Sequence, residues 1–329
     1  MAARRYGIAP DEWLDLSTGI NPNGWPVPML PADCWQRLPE DDDELTDAAR
    51  EYYGCNTLLP VAGSQQAIMA LPGLRRRGRV GLLKLAYAEH AQAWAMQGHD
   101  VVFLEATEID AAVSTLDVLL LINPNNPTGL RFSPDHLLAW GRRLRRNGGW
   151  LIVDEAFADT EAGLGLAPAV GREGLIVLRS VGKFFGLAGA RVGFVLAWPA
   201  LLAAVRRQIG PWPISAPARH LVAAALRDGA WQRTMARRLR KASGRLARLL
   251  AVRGLVPDGG CDLFQWCRHS RAAEIHERLA RQGILVRRFD EPASLRFGLP
   301  GTEAEWHRLA SALDAVAGEE KLPGCPSGI

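Results

Sequence analysis

Lysine is scarce in this chain. Of its 39 basic residues only Lys84, Lys183, Lys241 and Lys321 are lysines. Arginine fills nearly every position where either cation would serve, but arginine cannot form a Schiff base. A lysine set among small and apolar residues therefore invites a chemical role. Cysteine is sparse as well: Cys34, Cys55, Cys261, Cys267 and Cys325 are odd in number, widely spread and never in a CxxC pair. That argues against a disulfide framework or a zinc site. Long apolar runs are lacking; stretches such as 118–122 are far too short to cross a bilayer. No apolar signal segment stands near Met1, so the cytoplasm is the expected compartment. Charge of one sign is lacking too, the net being +4. The short runs at 75–77 and 41–44 read as solvated helix faces, not as surfaces for nucleic acid or membrane. The seven histidines show no metal-ligand spacing; His90, His269 and His276 read as surface or supporting residues.

What is present is a 329-residue chain, 48% hydrophobic, long enough for a sizeable core and two domains. Short apolar, β-branched runs occur at 80–83, 101–104, 118–122, 151–153, 175–178 and 192–196. Helical patterns separate several of them, as at 134–146, where Ser133 suits the N-cap and Pro134 the first turn. Strands apolar on both faces, alternating with helices, predict a mostly parallel sheet covered on both sides. After Gly210 the texture changes to helices at 216–227 and about 231–252, strands at 262–266, 284–286 and 294–297, and helices at 272–282 and 303–316. The expected division is an arm over 1–39 packing on a small domain, a large α/β domain over 40–225, and a small α+β domain over 226–329. The tail after Glu319 is expected to be loose.

Four elements in chain order carry chemistry. GSQQA, from Gly63, sits at a helix mouth, where free N–H groups suit a phosphate; an ordinary glycine turn with Ser64 as N-cap is the plainer reading. NPNNPTG, from Asn123, follows the 118–122 strand at the end where parallel sheets bind ligands, or is simply a tight turn. DEAF, from Asp154, places a carboxylate in the same crevice. An acid there can keep a pyridine nitrogen protonated, as pyridoxal-phosphate (PLP) chemistry requires, or it can cap a helix. Last comes Ser180-Val181-Gly182-Lys183-Phe184-Phe185-Gly186, with Arg191 eight residues beyond the lysine. Apolar surroundings and nearby cations favour the neutral amine that attacks an aldehyde. A surface lysine in a glycine loop is the competing reading.

This ordered set resembles the fold-type I PLP enzymes of the aspartate aminotransferase superfamily, over essentially the whole chain. The resemblance implies an α/β fold whose large domain holds a mostly parallel seven-stranded sheet, beside a smaller α+β domain. It implies that Ser64, Gln65, Ser180 and Arg191 cradle the cofactor phosphate and that Tyr87 stacks on the ring. Asn126 and Asp154 would hold the ring oxygen and nitrogen, and Lys183 would bind the cofactor as a Schiff base. Arg296 and Arg287 match arginines that grip anionic substrate groups in the histidinol-phosphate aminotransferase branch, and Asn126 also faces substrate. Within that branch the chain looks most like the threonine-phosphate decarboxylases of cobalamin synthesis, on Asp15-Leu16-Ser17, Ile20-Asn21-Pro22, Pro211-Trp212 and Ala230-Trp231-Gln232. That implies decarboxylation of L-threonine O-3-phosphate to (R)-1-amino-2-propanol O-2-phosphate, by a homodimer with its active site at the interface. The same residues serve transamination, so an aminotransferase of the histidinol-phosphate type is the alternative. A protein of this fold that only binds a ligand would lack the lysine. The chain departs from its relatives in having Phe157 where aminotransferases carry Tyr, Leu38 where a Tyr reaches the partner's phosphate, and Gly19 where Asn is common. It also lacks an N-terminal His-Gly-Gly segment.

Overall fold

The computed structural model describes residues 2–40 and 43–318; the tail after Glu319, with Lys321 and Cys325, lies outside them. The described chain divides into two compact units. One spans Gly24–Arg238, and the other joins the residues up to Asn23 to those from Leu239 onward.

The larger unit is built on a seven-stranded sheet. Its order is Leu58–Val61, Gly193–Leu196, Leu175–Ser180, Trp150–Asp154, Val118–Ile122, Arg79–Leu83 and Asp100–Leu104. Five neighbouring strands are parallel, with Ile122 level with Asp154 and Asp154 level with Leu178. Three central strands are buried along their whole length, as their unbroken apolar runs require. Gly193–Leu196 is antiparallel to both neighbours. The chain returns to it from Ser180 with no crossover helix between, and a parallel pairing needs one. The apolar patterning missed Leu58–Val61, a four-residue strand containing Pro60. It lies at the sheet edge, where a proline forfeits no ladder bond to a second neighbour.

The helix Pro134–Arg146 shows how locally such elements are specified. The Ser133 hydroxyl accepts from the His136 N–H at 3.4 Å, Pro134 opens the first turn, and Leu137, Trp140 and Leu144 form the buried stripe. Burying each such side chain contributes roughly 1.5–3 kcal/mol.

The second unit contains an antiparallel sheet ordered Arg287–Phe289, Ser294–Gly298, Phe264–Arg268, Gly259–Cys261, with Ala272–Arg281 and Glu303–Gly318 as helices. The strand expected over 262–266 is two strands joined by a turn at Asp262 and Leu263. Gly259 and Gly260, which disguised the first of them, let the backbones approach: a Cβ on Gly260 would lie 2.4 Å from the Phe264 carbonyl. The N-terminal segment joins this unit by backbone pairing. Leu14–Asp15 runs parallel to Ile284–Leu285, and the Gly298 N–H donates to the Leu16 carbonyl at 2.7 Å. From Gly24 the chain belongs to the larger unit, where the Trp25 N–H donates to the Phe185 carbonyl at 2.8 Å. No helix among the described residues is long and apolar enough to cross a membrane.

Candidate active site

Asp154 ends its strand almost completely buried, and both carboxylate oxygens are held. Oδ1 accepts from the Ala156 N–H at 3.0 Å, and Oδ2 lies 2.9 Å from His90 Nε2. An ionised carboxylate only accepts, so in that state His90 is the donor. His90 is itself 1% exposed, which decides between its two sequence readings: it supports Asp154 from within the core. His90 lies in the first turn of the helix Ala88–Met96, three residues after Tyr87 at its N-cap. The Tyr87 ring stands edge-on to His90, with centroids 6.2 Å apart at 85°, and 40% of the tyrosine is exposed. Its hydroxyl lies 3.5 Å from Gln65 Oε1, and Gln65 Nε2 donates to Glu89 at 3.1 Å.

Two of the three asparagines of the NPNNPTG loop build its turns. Asn123 exchanges two hydrogen bonds with the Phe132 backbone, and the Asn125 amide donates to the Leu85 carbonyl and the Thr128 hydroxyl. Both are fully buried. Asn126 is only half-buried. The loop is tied to the acidic strand end, because the Asn123 N–H donates to the Asp154 carbonyl at 2.9 Å. The turn reading of this motif therefore holds for Asn123 and Asn125.

Gly63, Ser64 and Arg191 come together although over 120 positions separate them. Gly63 has φ +72°, and a Cβ there would stand 2.6 Å from Arg191 Nη2. Glycine is needed twice over, for its backbone angle and for the guanidinium against it. Gly193 is equally constrained: a Cβ on it would lie 2.5 Å from the Ser64 nitrogen. Gly193 is also level with Ser180 across the sheet. Ser64 and Ser180 thus flank one glycine, with Arg191 beside the helix mouth. The plainer reading of Ser64 as N-cap is not what forms, since Gly63 takes the cap position and Ser64 opens the helix. Backbone N–H groups, two hydroxyls and a guanidinium gathered at one helix mouth match the donor set of a phosphate.

Lys183 follows in the same loop. Its Nζ lies 5.5 Å from the centre of the Phe157 ring, three residues after Asp154. Lysine loop, acidic strand end and asparagine loop are therefore adjacent, within one unit.

Arg287 and Arg296 belong to the second unit and stand directly opposite each other on antiparallel strands. Arg287 is exposed, whereas Arg296 is 6% exposed, donates to the Ser17 carbonyl and lies over the Phe264 ring at 5.1 Å. Burial, with the Arg287 charge adding to it, pulls the Arg296 guanidinium down to about 10. It stays charged near neutrality, but two facing cations favour an anion between them. Among the described residues no group of histidine, cysteine and carboxylate side chains is arranged to hold a metal.

The comparisons agree with this geometry. The profile of the aminotransferase class I and II family matches residues 37–313. A threonine-phosphate decarboxylase of Pseudomonas aeruginosa is 54% identical, covering 95% of this chain and 94% of its own. Another, from a Sinorhizobium species, is 42% identical over 95% of both chains. Among solved structures, histidinol-phosphate aminotransferase from Sinorhizobium meliloti in complex with pyridoxal-5'-phosphate superposes with a TM-score of 0.85 at 21% identity, covering 97% of this chain and 94% of that one. Arrangement and sequence lead to one conclusion: the chain belongs to the aminotransferase class I and II family.

Proposed function

We propose that this protein is a PLP-dependent carboxy-lyase that converts L-threonine O-3-phosphate to (R)-1-amino-2-propanol O-2-phosphate for cobalamin synthesis. The observation that carries the reading is the Lys183 amine over the ring of Phe157, three residues past Asp154, in a chain 54% identical to an enzyme named for this reaction. Ser64, Gln65, Ser180 and Arg191 would hold the cofactor phosphate. Tyr87 would cover the ring, Asn126 would face the ring oxygen, and Asp154, oriented by His90, would pair with the ring nitrogen. PLP supplies an electron sink for the pair released at the substrate α-carbon.

The protein's own residues then have separable tasks. Arg296 and Arg287 bind the anionic substrate groups. With the phosphate gripped, the α-carboxylate is left free to depart as carbon dioxide. Lys183 would return one proton to the α-carbon, which balances the lost carboxylate. Gripping the carboxylate instead would expose the Cα–H bond and give transamination, so substrate orientation decides the outcome. Phe157 fits the same reading, since its ring offers Lys183 a face and no competing hydroxyl.

The same reading makes the enzyme a cytoplasmic homodimer with its active site at the subunit interface. The exposure of Val27, Met29, Trp35, Leu38 and Trp212 supports an apolar contact with a second copy.

The test begins with PLP: the protein should turn yellow, and borohydride should fix the cofactor on Lys183. Threonine phosphate should then release carbon dioxide with no keto acid consumed. Glutamate formed from 2-oxoglutarate and histidinol phosphate, with no carbon dioxide, would make it an aminotransferase instead.

A further inference from the structure

A second set of charges lies on the opposite face of the sheet, unused by the cofactor site. Side chains alternate along a strand, so Leu178 and Ser180 share the face of Asp154 while Arg179 and Glu155 turn the other way. Arg179 Nη1 donates to Glu155 Oε2 at 2.7 Å and Nη2 to Asp159 Oδ1 at 2.6 Å. The Tyr52 hydroxyl donates to the same Asp159 oxygen at 3.0 Å. Glu155 also accepts the Leu166 N–H at 2.7 Å, and the Arg179 guanidinium lies over the Tyr53 ring at 4.7 Å. The charged side chains are between 0% and 7% exposed.

Two carboxyl groups surround one guanidinium in the buried interior, where burial raises Glu155 above its ordinary value against the opposing pull of Arg179. Apolar residues of equal volume would fill this space at less cost, so stability alone is a weak reason for it. What ion pairs supply is direction, and here the directions lead to Lys183 from two sides. Asp159 is two residues from Phe157, whose ring faces the lysine amine. The Tyr52 ring packs edge-on against Phe185, two residues beyond Lys183, with centroids 5.6 Å apart. Burial, followed by the charge of Asp159, raises the Tyr52 phenol well above its ordinary value, so it stays protonated and keeps donating.

We propose that Arg179 is a positioning residue for Lys183, acting through Asp159 and Phe157 on one side and through Tyr52 and Phe185 on the other. It touches neither substrate nor cofactor. It sets where the lysine amine stands relative to the Asp154 strand end. This inference rests on the PLP reading.

Tyr52→Phe removes one link and keeps the ring. Arg179→Lys keeps the charge but loses the planar fork that spans two carboxylates. Trp140→Phe, which drops a hydrogen bond to Asp110 and no link to the lysine loop, is the control. The readout is the pH midpoint of the visible absorption band of the PLP-loaded protein, beside the melting temperature of the PLP-free protein. Tyr52→Phe and Arg179→Lys should move the midpoint by about half a pH unit or more, roughly a threefold change in the proton equilibrium. Trp140→Phe should lower the melting temperature and leave the midpoint in place. Wild-type midpoints in both test variants, whatever their melting temperatures, would reduce the cluster to a support of the fold and overturn the proposal. No visible band in the wild type would overturn the cofactor reading, a result distinguishable from unchanged variants beside a coloured wild type.

Discussion

Arg296 shows how much one side chain can be asked to do. It is a buried cation with a second guanidinium opposite and a backbone carbonyl as partner. An anion held beside the two guanidinium groups would gain charge-assisted contacts worth about 1.5–3 kcal/mol. Arg296→Lys should therefore lower kcat/KM for threonine phosphate by roughly 10- to 150-fold, mainly through KM, with the visible PLP band unchanged. Equal losses with a substrate analogue lacking the phosphate would show that the arginine grips something else. Residue identity is what the sequence made most legible. A lysine between Gly182 and Phe184, in a chain with three other lysines, announces itself by scarcity. His90 did not, because nothing in a lone histidine tells whether a carboxylate 64 positions away is its partner.

Elements carry the next set of consequences. The helix mouth at Gly63–Ser64 and the strand start at Gly193 approach so closely that neither tolerates a side chain. Gly63→Ala combines a backbone angle costly for alanine with displacement of the Arg191 guanidinium, together about 1–3 kcal/mol. It should weaken PLP binding roughly 5- to 150-fold by absorbance titration while leaving the secondary structure intact by circular dichroism. The hairpin at Asp258 and Arg268 offers a test by pH. Burial raises the Asp258 carboxyl, but the Arg268 N–H, side chain and charge outweigh it and hold the group below its ordinary value. A depressed carboxylate contributes stability above its unfolded value, and that stability is lost as pH falls through the folded one. Asp258→Asn should thus cost about 0.5–1 kcal/mol in urea melts at pH 7, with the gap to wild type closing below about pH 4. An element short on pattern is where sequence reading failed. Leu58–Val61 is four residues with a proline, and Gly259–Cys261 is two glycines and a cysteine, so neither shows a period.

For the whole molecule, the proposed assembly and cofactor make joint predictions. Sedimentation should give about twice the 35.9 kDa chain mass. PLP at a hundredfold excess over its dissociation constant should stabilise the folded protein by about 2.7 kcal/mol, raising the melting temperature by several degrees. A chain that sediments as a monomer while still releasing carbon dioxide would remove the subunit interface from the site.

The sequence by itself determined the inventory: apolar runs alternating with helices, which predict a mostly parallel covered sheet, and four motifs whose residue types suit one cofactor. These are local properties, set by side-chain chemistry and by spacing along a short stretch of chain. Tertiary structure alone decided which distant residues meet. Sheet register placed Ser180 beside Gly193, and the packing of helices and loops on the sheet set Ser64 against Gly193, His90 behind Asp154, and Arg179 between Glu155 and Asp159. Strand order and alternation fix which face each strand residue offers to these contacts, and a one-residue slip would turn those side chains to the opposite face.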